Sequence, residues 1–566
     1  MKKGTIPGRF RLAIASVATL ALSFPAAAQA PVAATAATSA NHATSGTWQP
    51  LKNQPQISDI FFTYQGYLYD STSGAGAPLL MTDGSVLIQN NGYFAIDGRV
   101  FKLTPDINGS YVNGTWSELA SKPYANSAGA QAVLANGRVL IEGGEYSGNA
   151  AGDFYWFLLT NQGAIYDPVA NKWTSVPPPP FFVDLYPPRA AFAPNPIGDA
   201  PSVVLSDGTF MLEDKMSRQG ALLNLNTMTW TETGTSTKAD MNDEEGLTLL
   251  PNGQVLTVDC YTDYNFLTPG NPYPLPGYPY PSNATNSELY NPASHRWTSA
   301  GSTLQTLTDP VLFETGPAIL RPDGTVFAVG SLGDTSIYNT QNHEWSRGPK
   351  LPISPQGYQY TVQDGPGVLL PNGHVFFAAS GGPDDPSNGN YADPPVAFFE
   401  FDGTNLIPEP TIPNAPYDLS GSISLLPLPN GQVLSVDSSL DVEIYTPADT
   451  SHNPRWQPTV VSVPFRLGHG GSYKLYGYLL NGMSQACAFG DEEQCATNYP
   501  LVRITNLGTG HVFYSRTHNH SSMAVADNEH LNSTQFDVPA AQERGLSKLE
   551  VVANGIPSYP VLVNVE

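Results

Sequence analysis

The sequence predicts an all-β protein: a seven-bladed β-propeller followed by a small C-terminal β-sandwich. Three observations carry this reading. A strand–turn–strand phrase recurs seven times along the chain. Gly and Pro number 52 each and 11% of residues are aromatic, a turn-dense and strand-rich composition with few helix formers. Past residue 462 the phrase stops, and short alternating strands of another kind take over.

The repeat is an apolar run, an Asn-Gly or Asp-Gly pair, and a second apolar run. The pairs are Asp83-Gly84, Asn136-Gly137, Asp207-Gly208, Asn252-Gly253, Asp323-Gly324, Asn372-Gly373 and Asn430-Gly431. Such pairs accept the positive φ of a tight hairpin turn, so phrases such as LLPNGQVLTVD and ILRPDGTVFAVG read as hairpins. A second phrase follows, as in AIYDPVANKW, SELYNPASHRW and SIYNTQNHEW: a strand, a polar turn and a strand opening on Trp. Trp116, Trp173, Trp230, Trp297, Trp345 and Trp456 mark six units, and the sixth unit in order has Phe398-Phe399-Glu400-Phe401 instead. Four short strands per unit, at intervals of 45 to 71 residues, describe kelch-type propeller blades, with the Trp residues packing between them. Trp48, in GTWQPL, reads as an extra outer-strand phrase that could close the ring on the last blade.

Lys2, Lys3, Arg9 and Arg11 precede an apolar run, Leu12 to Phe24, and then Ala28-Gln29-Ala30. This is the pattern of a secretory signal, predicting export to the periplasm or the extracellular space. The expected organisation is a signal peptide at 1–30, a flexible linker at 31–46, the propeller at 47–462 and an immunoglobulin-like domain at 463–566. No later segment is long and apolar enough to insert in a membrane. A net charge of −24, with only 25 Lys and Arg, argues against nucleic acid and against anionic membrane surfaces. The protein is expected to act as a monomer.

Of three cysteines, Cys487 and Cys495 enclose a short polar loop containing Asp491, Glu492 and Glu493, a spacing that suits a disulfide in an exported protein. That bond is expected to act locally, between two sandwich strands, and Cys260 is expected to stay a buried free thiol.

The final hairpin, SISLLPLPNGQVLSVD, and the C-terminal stretch FDVPAAQERGLSKLEVVANGIPSYPVLVNVE resemble the corresponding parts of galactose oxidase and its relatives. The resemblance implies a kelch propeller with an immunoglobulin-like (E-set) domain, and a copper ion held by two Tyr and two His, one Tyr being crosslinked to a Cys. This chain departs from that pattern. Ser420 and Gly421 stand where a Tyr-His pair precedes the last inner strand, Asp243 stands near the place of the Cys, and Glu314 stands in the lead-in expected to carry the crosslinked Tyr. The His from the C-terminal domain has its match in His518 of RTHNH, with His520 beside it. Two His one residue apart on a strand can face one metal. The alternative is that they hydrogen-bond loop carbonyls.

In a four-stranded blade, the loop entering the inner strand and the loop leaving the second strand open on one face, where seven sets converge at the axis. Here they carry Glu145, Tyr146, Glu213, Asp214, Asp243, Glu244, Glu245, Asp259, Tyr261, Glu314, Asp364 and Asp437. Carboxylates accept bonds from sugar hydroxyls and aromatic rings stack on sugar faces, so a glycan, of a polymer or a cell wall, is the expected partner. Glu244 and Glu245 are the candidate acid–base pair should the protein be a hydrolase or lyase. Several carboxylates together could hold Ca²⁺; a divergent copper oxidase and a purely protein-binding propeller are the other readings. For each single carboxylate, the competing explanation is an Asp or Glu that merely forms a turn.

Overall fold

The structure, a computed structural model, describes residues 45–64, 67–71, 73–92, 95–148, 154–155, 159–182, 195–215, 217–234, 237–240, 242–260, 285–309, 313–383, 393–490 and 493–566. The predicted signal peptide, nearly all of the predicted linker, Tyr261, Asp491 and Glu492 lie outside them.

The chain is all-β and folds as a seven-bladed propeller with a further strand-rich C-terminal sheet. Six blades are four-stranded antiparallel sheets, such as Ala130–Val133, Val139–Glu142, Gly163–Asp167 and Lys172–Val176. All seven turn glycines, from Gly84 to Gly431, sit at φ between 75° and 88°, where a side chain would be strained. Second strands such as Val255–Val258 and Val433–Val436 are mostly apolar and buried along their length, because each is flanked by neighbouring blades.

Within a blade each recurring Trp packs on the Tyr opposite it in the third strand: Tyr166–Trp173, Tyr290–Trp297 and Tyr338–Trp345 lie at ring distances of 5.0, 5.3 and 5.1 Å. The indole N–H then reaches backwards: Trp173 donates to the Ala120 carbonyl (2.7 Å) and Trp230 to that of Pro177 (2.6 Å). For Trp173 and Trp230 a packed ring with a satisfied N–H is a structural device, as the repeat implies.

The seventh blade is closed by the other end of the chain. Thr47–Pro50 pairs antiparallel with Glu443–Thr446, placing Trp48 opposite Tyr445. The Trp48 indole lies 5.0 Å from the rings of both Tyr445 and Phe398 and donates to the Pro410 carbonyl. Trp456, which the repeat phrase assigned to the last unit, instead lies on a short 3-10 helix, Pro454–Trp456, outside the blade. The strand it was expected to open is supplied by Trp48.

The C-terminal sheet has nine strands and begins at Thr459–Ser462, which pairs with Ser472–Tyr478, so these four residues, expected from the sequence to belong to the propeller, pair in the C-terminal sheet. Its own core includes Leu475, Val502, Phe536, Leu549 and Val563. It caps the hairpin-turn end of the propeller. Val512 N–H donates to the Ile107 carbonyl, Thr517 N–H to Thr82, His520 N–H to Ala135 and Met523 N–H to Ser206. The sheet thus covers the turns at Asp83-Gly84, Asn136-Gly137 and Asp207-Gly208, and the opposite end carries the loops of interest.

One strand crosses between the two parts. Cys487–Phe489 joins blade six as a fifth strand, pairing antiparallel with Pro366–Leu369 in the register Pro366↔Phe489, Gly367↔Ala488 and Val368↔Cys487. The Cys487–Cys495 disulfide is formed, with a Cα–Cα distance of 5.3 Å, and Cys260 is a buried free thiol. The expectation that the bond acts within the sandwich is corrected: Cys487 lies on a strand of blade six and both cysteines pack in the propeller core, because Pro366–Leu369 offers an open strand edge.

Trp48→Ala removes the ring, its hydrogen bond and the packing that anchors the closing strand. The expected cost is about 2–3 kcal/mol of unfolding free energy, measured by denaturant titration.

Candidate functional site

At the axial end of the blades, opposite the hairpin turns, two buried lysines gather most of the acidic residues singled out from the sequence. Lys215 follows the second strand of blade three, Phe210–Glu213. Its ammonium contacts Asp199, Asp243 (2.8 Å) and Glu244 (2.9 Å). Burial alone would lower this lysine's pKa, but Asp199, Asp243, Glu244 and Glu145 outweigh it and hold the amine well above its ordinary value.

Beside Lys215, the lead-ins of three successive blades bring Glu244, Glu314 and Asp364 together, one carboxylate oxygen of each lying within 4.8 Å of the others. Glu314 is 1% exposed and its Oε2 receives no hydrogen bond. Burial, followed by Asp364 and Glu244, pushes Glu314 well above the usual carboxylate range. Asp364, half-buried, is raised to about 7 by burial, against a hydrogen bond from Glu314 that lowers it, with Glu244 and Asp199 raising it further. Glu145 belongs to the same surroundings, raised by burial and by Asp199. Tyr146 stands next to it, its phenol pushed up by burial and by Glu145. Glu244 and Asp364 both adopt left-handed backbone, φ 62° and 44°, which for a glutamate costs about 1–2 kcal/mol.

The second centre is a closed cage. Lys238 is fully buried and contacts Asp240 (2.7 Å), Glu245 (2.9 Å) and Glu288 (2.9 Å), with Asp259 at 3.9 Å. Its ammonium lies 5.4 Å from the Trp297 ring centre, and Thr257 donates to Glu245. Asp240, Glu245 and Asp259 also converge, but the lysine already sits among them.

Adjacent in sequence, Glu244 and Glu245 thus diverge into different centres, Glu244 toward Lys215 and Glu245 toward Lys238. The structure does not bring them together as an acid–base pair. Cys260 explains part of this arrangement, since its thiol donates to the Glu244 carbonyl at 2.9 Å. Burial and the nearby acids push that thiol well above its ordinary value, so it stays protonated and unreactive.

The remaining expectations scatter. Glu213 is buried against Gly220, where a Cβ would lie 2.4 Å from its carboxylate. Asp214 accepts from the Ser217 hydroxyl at 2.7 Å. Asp437 caps a loop, accepting from Ser439 N–H and from Asn414 (2.8 Å). His518 and His520 lie at the capped, hairpin-turn end. His518 bonds Asp537 (3.1 Å) and His520 bonds Thr534 (2.9 Å) while stacking on Tyr499. The strand ends at His518 and Asn519 takes φ 52°, which breaks the alternation that would have aligned the two imidazoles. Neither belongs to a group of potential metal ligands among the described residues. Sequence reasoning missed Asp199, Lys238, Asp240 and Glu288. The signal for Lys238 was its isolation: in TSTKADMNDEEG it is the lone cation in an acidic run of a chain with only 25 Lys and Arg.

No family model matches this chain, and no curated protein matches it. Among solved structures it is similar to a fungal alcohol oxidase of the AA5 family in complex with copper, with 13% identity, a TM-score of 0.46, and 92% of this chain and 100% of that chain covered. It is also similar to a streptogramin B lyase, with 11% identity, a TM-score of 0.42, and 71% of this chain and 98% of that one covered. A virginiamycin B lyase from Staphylococcus aureus gives 11% identity, a TM-score of 0.40 and coverage of 71% and 98%. At these values the likenesses carry no chemistry over to this chain.

Lys238→Met leaves the surrounding carboxylates buried without their cation, and is expected to destabilise the fold by about 3–5 kcal/mol in denaturant titration. His520 gives a pH signature. Burial first, then His518 and Arg516, lowers it to about 3. Between its ordinary value and about 3 the unfolded chain binds a proton that the folded chain refuses, so this group removes stability as pH falls through that window. The melting temperature of His520→Gln should therefore fall less steeply with acidification than that of the unaltered protein.

Proposed function

We propose that the chain is an exported kelch-type propeller with an immunoglobulin-like C-terminal domain, whose axial acidic centre holds a hard divalent cation and, through it, a carbohydrate. In this reading the signal is residues 1–30, the propeller begins near 47 and ends between Thr446 and Thr459, and the monomer works in the periplasm or outside the cell. The observation that carries the site is the convergence of Glu244, Glu314 and Asp364 within 4.8 Å, with a buried Glu314 oxygen that no donor satisfies.

Two oxygens bound to one Ca²⁺ at about 2.4 Å each lie no more than about 4.8 Å apart, so the spacing suits that ion. The donors are all oxygens, which favours calcium over copper, for which imidazole and thiolate are the stronger ligands. A cation also answers an electrostatic problem. Asp199, Asp243 and Glu244 contact a single ammonium, Glu145, Glu314 and Asp364 lie beside this group, and buried carboxylates in excess of their partners are costly. Three protein carboxylates leave coordination positions on an ion that takes 6–8 ligands, and neighbouring hydroxyls of a sugar are suitable occupants. Lys215 would hold Asp199, Asp243 and Glu244 in place rather than react. The copper centre implied by the family resemblance is not supported by this donor set.

Calorimetric titration of chelator-treated protein with Ca²⁺ tests the cation, and a glycan array with and without chelator tests the sugar. The expected result is one site with Kd on the order of 10⁻⁴ M, as for extracellular calcium modules, and chelator-sensitive glycan binding. Glu314→Gln and Asp364→Asn should each weaken Ca²⁺ at least tenfold while the fold is retained. No heat of binding at millimolar Ca²⁺ with the intact protein would contradict the reading.

A further inference from the structure

The fifth strand of blade six brings the C-terminal part of the chain up to the candidate site. The strand Cys487–Phe489 is paired to Pro366–Leu369, which begins two residues after Asp364, and it leads directly to Gly490. A Cβ built on Gly490 would lie 2.7 Å from Asp364 Oδ1, 3.3 Å from its Cα and 3.4 Å from the Thr315 carbonyl. On the other side, the Gly490 carbonyl oxygen is 2.6 Å from where a Cβ on Gly246 would sit, two residues after Glu244. Gly490 is therefore wedged between the lead-ins that supply Glu244, Glu314 and Asp364. Its backbone lies where any side chain would displace the Asp364 carboxylate.

The wedge is held from both directions. The ladder to Pro366–Leu369 fixes it on one side, and on the other the Cys487–Cys495 disulfide returns the chain after an eight-residue separation. Past Gly490 the loop is anchored again by buried Glu493, which faces Lys122, the Ala128 backbone and Ser424 rather than the site. Asp364, meanwhile, has left-handed backbone that only its surroundings can maintain.

We propose that Gly490, presented by the disulfide-closed loop of the C-terminal domain, is a positioning residue for Asp364, so that the propeller alone does not form a competent axial site. This rests on the cation reading of that site only for its ligand readout. Gly490 touches no ligand; it sets where the Asp364 carboxylate stands relative to Glu244 and Glu314. Gly490 thus reaches the site from a different part of the chain than Glu244, Glu314 and Asp364. Because β-pairing holds it, an error of one residue in register would move Gly490 away from Asp364 altogether.

The test uses the full chain and three variants: Gly490→Ala, Cys487→Ser with Cys495→Ser, and Glu493→Gln as a loop control. Two measurements are made. The first is Ca²⁺ affinity by calorimetry, with melting temperatures of the ion-free proteins alongside. The second is hydrogen exchange of the segment 361–369 with no ligand present. Gly490→Ala is expected to bind Ca²⁺ at least tenfold more weakly with its melting temperature little changed, and to exchange faster at 361–369. Glu493→Gln should bind as the unaltered protein does. If Gly490 acts through Asp364, adding Gly490→Ala to Asp364→Asn should cost no further affinity, a non-additivity that general destabilisation does not produce. The cysteine double variant should follow Gly490→Ala in direction, and if it does not fold, Gly490→Ala decides alone. Unchanged exchange at 361–369 together with unchanged affinity in Gly490→Ala would overturn the proposal. If the unaltered protein binds no Ca²⁺, the cation reading fails, while the exchange measurement still decides whether Gly490 positions Asp364.

Discussion

The cost of burying carboxylates governs the axial end of this propeller. An unpaired ionised carboxyl in a protein interior costs several kcal/mol, so each must be paired, protonated or matched by a cation. This chain has 49 acidic residues and 25 basic ones, and it commits two of its few lysines, Lys215 and Lys238, to the interior. Each stands within a ring of acids drawn from neighbouring loops. The two centres differ in what remains. Around Lys238 the ammonium fills the middle of the group, and the arrangement is a cross-blade tie. Around Lys215 the ammonium stands to one side, and Glu244, Glu314 and Asp364 face one another, with Glu314 hydrogen-bonded to the other two.

The rest of the fold serves this arrangement. Hairpins with Gly at positive φ set the blades, and Trp residues lock each blade to the one before. Closure by Thr47–Pro50 removes the free edge that an incomplete seventh blade would expose. With the hairpin end capped by the C-terminal sheet, the lead-in loops are left to converge at the other end, where a radial fold concentrates groups from many parts of the chain. The strained conformations of Glu244 and Asp364 fall at that convergence, in keeping with strain being retained where surroundings over-determine it.

Much of the scaffold was legible in the sequence because its signals are local. Asn430-Gly431 announces a hairpin within two residues, and the seven copies announce a ring. The closing role of Trp48 was legible as a phrase out of phase with the repeat, whereas Trp456 misled because a Trp alone does not say which strand it opens. The candidate site was half legible. Glu145, Glu244, Glu314 and Asp364 were named from loop position alone, and they do meet. That Glu244 and Glu245 part company was not legible, since neighbours in an irregular lead-in have no fixed period. That two lysines, Lys215 and Lys238, would be buried among these acids was not legible, since a lone Lys between acidic residues is equally at home on the surface. The insertion of Cys487–Phe489 into blade six could not be read, because it pairs residues more than a hundred apart and a three-residue strand has no pattern of its own.

The central claim is that a hard cation sits among Glu244, Glu314 and Asp364. Its most direct measurement is anomalous diffraction from crystals of the full chain soaked in Mn²⁺, an oxygen-preferring ion with a strong anomalous signal. The account predicts a difference peak between these three carboxylates, lost in Asp364→Asn. A peak confined to the Lys238 cage, to His518 and His520 or to the surface, with the three carboxylates in place and no density between them, would contradict it.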